Sequence, residues 1–168
     1  VLEQVGMVTR SKSSGDGRRR YVHLVRSPEP PLASPPRRAG KALFVCTRNS
    51  ARSQLAAALW RSMTGAGADS AGTHPASSVH PGAVAAAQRA GLDLGTSATK
   101  SLSAIRNIPR LVVTVCDQAH EELDAGIARL HWSVPDPVAD GRRIAFDHVL
   151  VELRNRIGLL AATPLGTR

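Results

Sequence analysis

The chain of 168 residues has room for one full domain and an appendage; 42% is apolar but only 3% aromatic, so its core must be built from Ala, Leu, Val and Ile. The formal charge of +9 is uneven, because residues 1–39 hold eight Lys/Arg against Glu3, Asp16 and Glu29, and such a head is either a polyanion contact or a solvated basic tail. Two cysteines, Cys46 and Cys116, exclude a disulfide framework; no apolar run reaches the length of about 18 residues that a membrane span needs and no signal peptide is visible, so a cytoplasmic chain without membrane partners is expected.

Residues 1–5 read as the end of a helix stopped at Gly6. Residues 7–12 and 18–25 then flank Ser13-Ser14-Gly15-Asp16-Gly17, a hairpin turn by composition. A two-stranded hairpin is marginal in water unless it docks on something, so order there is expected to depend on a partner. Five prolines within residues 27–36 preclude helix and central strand and predict an extended linker. From Lys41 onward the pattern alternates. Strands are predicted at 42–46, 69–72, 111–116 and 130–134. Helices are predicted at 53–64, 80–91, 117–128 and 144–162, the last with Phe146, Leu150, Leu153, Ile157 and Leu160 inward. Alternation of this kind implies an α/β domain with a mostly parallel sheet and right-handed crossovers. The expected organisation is a basic hairpin (1–26), a Pro-rich linker (27–40), an α/β domain (41–162) and a short tail (163–168).

Chemistry concentrates in Cys46-Thr47-Arg48-Asn49-Ser50-Ala51-Arg52-Ser53, a loop between a buried strand and an amphipathic helix. Parallel sheets place their ligand sites there, outside the carboxyl ends of strands. A loop entering a helix N-terminus exposes backbone N–H groups whose dipoles favour a bound anion. Arg52 adds a planar, permanently charged fork that matches a tetrahedral oxyanion, and the same field favours the thiolate of Cys46 as nucleophile. The bland alternative is a buried structural Cys beside an exposed Arg. The six histidines show no ligand spacing with the cysteines, so no metal site is expected.

Leu43-Phe44-Val45-Cys46-Thr47, continued by Asn49-Ser50-Ala51-Arg52-Ser53-Gln54, resembles the phosphate-binding loop of the low-molecular-weight protein tyrosine phosphatase superfamily. Thr47, Ser50 and Gln54 resemble its arsenate reductase branch, as does His131-Trp132-Ser133-Val134-Pro135-Asp136-Pro137. Ser70-Ala71-Gly72-Thr73 and Val113-Thr114-Val115-Cys116-Asp117 match in order and spacing. The resemblance implies a flavodoxin-like domain with a four-stranded parallel sheet of order 2-1-3-4 flanked by helices, the hairpin being an appendage. It implies Cys46 as nucleophile, Arg52 on the oxyanion, residues 47–52 as the anion cradle, Asn49 shaping the loop, Ser53 donating to the thiolate, and Asp136 protonating the leaving oxygen. Asp136 can also be read as a simple Asp-Pro turn. Arg48 departs from the family, standing where Gly is common: a further cation on the anion, or one pointing outward.

Two enzymatic readings follow. A phosphatase hydrolyses phosphocysteine with water, whereas an arsenate reductase needs a second thiol. With the order 2-1-3-4, the strands ending at Cys46 and Cys116 are neighbours about 5 Å apart, a spacing a disulfide tolerates. Cys116 could then resolve the adduct; it could equally be ordinary packing, with an external thiol resolving instead. Thioredoxin-coupled arsenate reductases carry one more Cys shortly afterwards. Residues 117–123 have none, and Leu123 stands about where it would be. A small thiol or a redoxin would therefore have to act directly, and no tightly bound cofactor is expected. Phosphotyrosine enzymes set aromatic residues after the Asp-Pro pair; here Pro137 is followed by Val138-Ala139-Asp140-Gly141, which favours a small inorganic oxyanion over a phosphate monoester.

The opening segment resembles the last helix turn and wing of an arsenic-repressor-like winged helix. A wing without its recognition helix contacts phosphates and reads no bases, so DNA binding would be weak and salt-sensitive. An oxyanion-sensing regulator is the alternative of another class.

Overall fold

The structure, a computed structural model, describes residues 2–25, 39–94, 97–127 and 129–162. Residues 27–38 of the expected linker and the expected tail lie outside that range. Two sheets form, an antiparallel hairpin and a four-stranded parallel sheet.

The parallel sheet has β3 (Ala42–Cys46) at its centre, flanked by β4 (Ala68–Gly72) and β5 (Leu111–Thr114), with β6 (Leu130–His131) beyond β5. In chain order this is the expected 2-1-3-4 arrangement. Every residue of β3 and β5 is buried, as continuous apolar runs require when helices cover both faces. Helices α1 (Arg52–Thr64), α2 (Pro81–Arg89) and α5 (Arg143–Ala162) do most of the covering. On α5, Phe146, Leu150, Leu153 and Ile157 are buried as the spacing predicts, together with Val149. Leu160 packs against the core only partly buried. Pro81 opens α2, capped by the His80 imidazole, and Gly91 follows its end at φ 67°. Among the described residues no helix is long and apolar enough to cross a membrane.

Four elements are shorter than predicted; among them α2 (Pro81–Arg89) and β5 (Leu111–Thr114) fall short of the expected 80–91 and 111–116. Helix α3 (Asp117–Glu122) stops six residues before the expected end. Arg129 folds back on it and donates to the carbonyls of His120, Leu123, Asp124 and Ile127, the first three of which a longer helix would have used itself. Strand β6 ends at His131 rather than residue 134. Trp132 N–H still reaches Thr114 O at 2.8 Å, but the chain then turns away, and Val134 O accepts instead from Arg52. A 3-10 turn (Leu102–Ala104) and the short α4 (Pro137–Asp140) carry too few residues to leave a periodic signal.

The hairpin pairs β1 (Val8–Lys12) with β2 (Arg20–Leu24), from Val8↔Leu24 to Lys12↔Arg20. It docks on α3 and β6 of the same chain. Tyr21 lies 4.6 Å from the ring of His131, which stacks on His120 at 4.1 Å. Burial and the adjacent His120 hold the His131 imidazole down to about 4, outweighing Asp117, whose Oδ1 lies 3.2 Å from Nε2. For Asp117 burial acts upward, yet hydrogen bonds from Ser133 and the Ser14 amide, with His131, bring it below the usual carboxylate range.

A folded-state value below the unfolded one means the unfolded chain binds the His131 proton first as pH falls. Native stability is therefore expected to decline between about pH 6.5 and about 4. Urea unfolding across that window, on wild type and His131→Gln, checks this. Equal slopes with pH in the two proteins would refute it.

Candidate active site

The loop from Cys46 to Ser53 leaves the carboxyl end of β3 and enters α1. Its carbonyls turn outward: those of Cys46, Thr47, Arg48 and Ser50 accept from the N–H groups of Thr73, His74, Ala76 and His80 at 2.8–3.2 Å. Because a peptide plane carries its N–H opposite its C=O, the loop's amides face away from those donors: the Thr47 amide goes to Cys116 Sγ and the Asn49 amide to Cys46 Sγ. The N-cap of α1 is Ala51, which offers no side-chain acceptor, and the first turn holds no acidic residue. A helix start of that kind presents unpaired amides and a partial positive charge, the setting in which anions bind.

Asn49 shapes the loop. It is fully buried with φ 49°, a left-handed conformation that Asn tolerates better than most residues. Its Oδ1 accepts from Lys100 N–H at 2.9 Å and from Gln54 Nε2, and its Nδ2 donates to Ser53 Oγ at 2.8 Å. Ser53 Oγ lies 3.0 Å from Cys46 Sγ. That oxygen also accepts from Asn49, and its one hydroxyl proton is available to a thiolate at Cys46. The Asn49 amide donates to the same sulfur at 3.1 Å.

Gly72 closes the cradle from β4. A Cβ there would sit 2.7 Å from Thr47 O and 3.1 Å from Asn49 N. Gly72→Ala is therefore expected to displace the loop, costing about 1–3 kcal/mol of stability and weakening phosphate binding. Urea unfolding and phosphate titration measure both, and an unchanged phosphate affinity would contradict the role of Gly72.

Arg52 is buried and bolts the loop to the segment before α4. It donates to Val134 O at 3.0 Å and to Asp136 Oδ2 at 2.9 Å. The other Asp136 oxygen accepts from Val138 N–H at 3.0 Å and so caps α4. Asp136 thus makes the Asp-Pro turn and also faces the anion loop. Arg48 is exposed at the rim, while Thr47 and Ala51 are buried and Ser50 half-buried.

Cys116 emerges beside the loop because β5 pairs with β3 at Val45↔Thr114. Its Sγ accepts from Thr47 N–H at 3.2 Å and from Ala119 N–H at 3.4 Å, and lies 3.3 Å from Thr47 Oγ1. Both cysteines are free and buried. Burial, then the charge of Cys46, pushes the Cys116 thiol up, against the opposing pull of Arg52. Leu123 is buried at the end of α3. Tyr21 is taken up by the hairpin interface, and Trp132 packs on Phe44 at 6.2 Å.

The structure brings together Cys46, Arg52, Ser53, Asp136, Cys116 and the loop residues that the sequence singles out. Sequence reading misses the supports: Val134 O on Arg52, Lys100 N–H on Asn49, Thr47 on Cys116, and the outer strap at 73–80. Only the glycine of Ser70-Ala71-Gly72-Thr73 hinted at the close approach.

The chain is similar to known proteins in sequence and in fold. The chain is 34% identical over 126 residues to the arsenate reductase of Brevibacillus brevis, a match covering 71% of this chain and 92% of that protein. The thioredoxin-dependent arsenate reductase of Corynebacterium glutamicum superposes with a TM-score of 0.57 at 27% identity, over 77% of this chain and 62% of that one. The low molecular weight protein tyrosine phosphatase of T. tengcongensis shares the fold, with a TM-score of 0.64 at 21% identity over 73% and 97% of the two chains. The family model described as low molecular weight phosphotyrosine protein phosphatase matches residues 41–165, and the chain belongs to that family of enzymes.

Proposed function

We propose that this chain is a thiol-dependent arsenate reductase. The observation that carries the reading is a second thiol, Cys116, hydrogen-bonded to the nucleophile loop through the Thr47 amide. In this reading the Cys46 thiolate, supported by the Asn49 amide and the Ser53 hydroxyl, attacks arsenic. The loop amides and Arg52 hold the oxyanion, and Asp136 delivers a proton to the leaving oxygen. The incoming anion competes with Asp136 for Arg52; once displaced from the guanidinium, the carboxyl can carry that proton. Cys116 then attacks Cys46 Sγ and the S–As bond breaks, its electron pair staying on arsenic. Arsenic(V) leaves as arsenite and a Cys46–Cys116 disulfide remains. A small thiol or a redoxin restores the dithiol, in keeping with the thioredoxin dependence of the Corynebacterium relative.

The test is one turnover with arsenate, followed by peptide mapping and arsenite determination, on wild type and Cys116→Ser. The expected result is a Cys46–Cys116 disulfide and arsenite from wild type and neither from the variant. Hydrolysis of para-nitrophenyl phosphate with no disulfide and no arsenite would overturn the reading in favour of a phosphatase. The Arg52–Asp136 pair is what keeps that second reading in play, since ester hydrolysis needs the same acid. The resemblance of the hairpin to a winged-helix wing supports at most weak, salt-sensitive DNA contact through Lys12, Arg19 and Arg20.

A further inference from the structure

The family match begins at residue 41, so the hairpin lies outside it. Its turn nevertheless sits on the helix that starts at Cys116. Ser13 Oγ donates to Glu121 Oε1 at 2.7 Å, Asp16 N–H to Glu121 Oε2 at 2.7 Å, and Tyr21 OH to Glu121 Oε1 at 3.1 Å. Ser14 N–H donates to Asp117 Oδ2 at 2.8 Å, and the Ser14 hydroxyl reaches the same oxygen at 3.3 Å. Both acceptors lie on one face of α3, four residues apart. Ser13 and Asp117 are buried in the contact, 6% and 3% exposed. Gly15 permits it, since a Cβ there would lie 2.6 Å from Glu121 Oε2 and 2.9 Å from Gln118 Cα.

Helix α3 needs this support. Six residues are too few for a helix to hold itself in water, where most helical stability comes from packing. Its N-cap acceptor is the Cys116 sulfur itself, bonded to Ala119 N–H. When that sulfur forms a disulfide, the helix loses a cap at the moment when Cys116 must be aligned with Cys46. What then holds α3 is its packing through Ala119, the contacts of His120 with Thr114 and Glu122 with His74, Arg129 at its far end, His131 on Asp117, and the hairpin.

We propose that the N-terminal hairpin is a positioning element for Cys116, its turn clamping Asp117 and Glu121 so that the thiol stays aimed at the Cys46 adduct. This rests on the reading of Cys116 as resolving thiol. The step served is attack of the Cys116 thiolate on Cys46 Sγ: the S–S bond forms, the S–As bond breaks, two thiols are oxidised and arsenic(V) is reduced to arsenic(III). Phosphate-ester hydrolysis uses Cys46, Arg52 and Asp136 but not Cys116, and so provides an internal reference.

The experiment uses the full chain and two variants away from the reacting groups. Gly15→Val drives the turn off α3; Ser13→Ala combined with Tyr21→Phe removes two of the donors without added bulk and serves if the first variant misfolds. Each protein is given arsenate for one turnover, quenched with an alkylating agent at successive times, and mapped for the Cys46–Cys116 disulfide. Para-nitrophenyl phosphate hydrolysis is followed on the same samples. Disulfide formation is expected to slow by about tenfold or more, with ester hydrolysis unchanged. Unchanged disulfide formation in a folded variant would overturn the proposal and leave the reductase reading standing. An equal fall in both chemistries would also overturn it, because the hairpin would then support the domain at large. No disulfide in wild type would sink the reductase reading, and the proposal with it.

Discussion

Cys46→Ser is expected to abolish arsenate reduction and phosphate-ester hydrolysis together, lowering kcat on the order of 10⁵-fold or more. The sulfur is the atom on which the surrounding groups converge: the Asn49 amide donates to it at 3.1 Å and the Ser53 hydroxyl lies 3.0 Å away. A serine oxygen fits the same space, because the side chain is only 2% exposed and the change removes little volume. An alcohol oxygen is a far weaker nucleophile than a thiolate sulfur, however, and two hydrogen bonds do not make up the difference. The cradle itself should persist, so phosphate binding, measured by titration calorimetry, is expected to remain. Retained turnover would remove Cys46 from the mechanism; lost phosphate binding would mean that the substitution had damaged the loop rather than the chemistry.

Asp136→Asn is expected to divide affinity from rate. Arg52 spends its guanidinium on Asp136 and Val134 O, and a bound oxyanion must displace that carboxylate. An amide competes less well for the cation, so phosphate should bind more tightly. Turnover should nevertheless fall by about 10²–10⁴ for substrates whose leaving oxygen needs a proton. Esters with a good leaving group, such as para-nitrophenolate, should lose less. Asn caps a helix about as well as Asp, so α4 should keep its start at Pro137. Rates across phosphate esters of graded leaving-group pKa, together with phosphate affinity, test both halves. A uniform loss across the series would show that Asp136 positions the loop and does not donate the proton.

What the sequence discloses is what lies close together along it. The run Ala42–Cys46 gives away its burial because five consecutive apolar residues suit a strand covered on both faces. The residues from Cys46 to Ser53 suggest an anion site to a reader of the sequence because strand, loop and helix start are contiguous, and the structure has that order. The 2-1-3-4 sheet follows from the family resemblance, and the structure bears it out. Where partners are distant the reading fails. Arg129 shortens α3 by taking carbonyls, and nothing in residues 117–128 announces that an arginine beyond them will do so. The tie from Arg52 to Asp136 spans 84 residues, so the composition of neither segment encodes it. Gly15 reads as a turn glycine. That it also lets the backbone of α3 approach becomes visible only once the hairpin is folded against Glu121.

The absence of a side-chain cap at Ala51 has a thermodynamic corollary. Most helices supply their own acceptor for the first amides; in the reading proposed above that acceptor comes from solution, so the oxyanion would belong to the folding equilibrium as well as to the reaction. By mass action, phosphate or arsenate at about a hundred times its dissociation constant stabilises the native chain by about 2.7 kcal/mol. The melting temperature of this protein is consequently expected to rise with the phosphate content of its buffer.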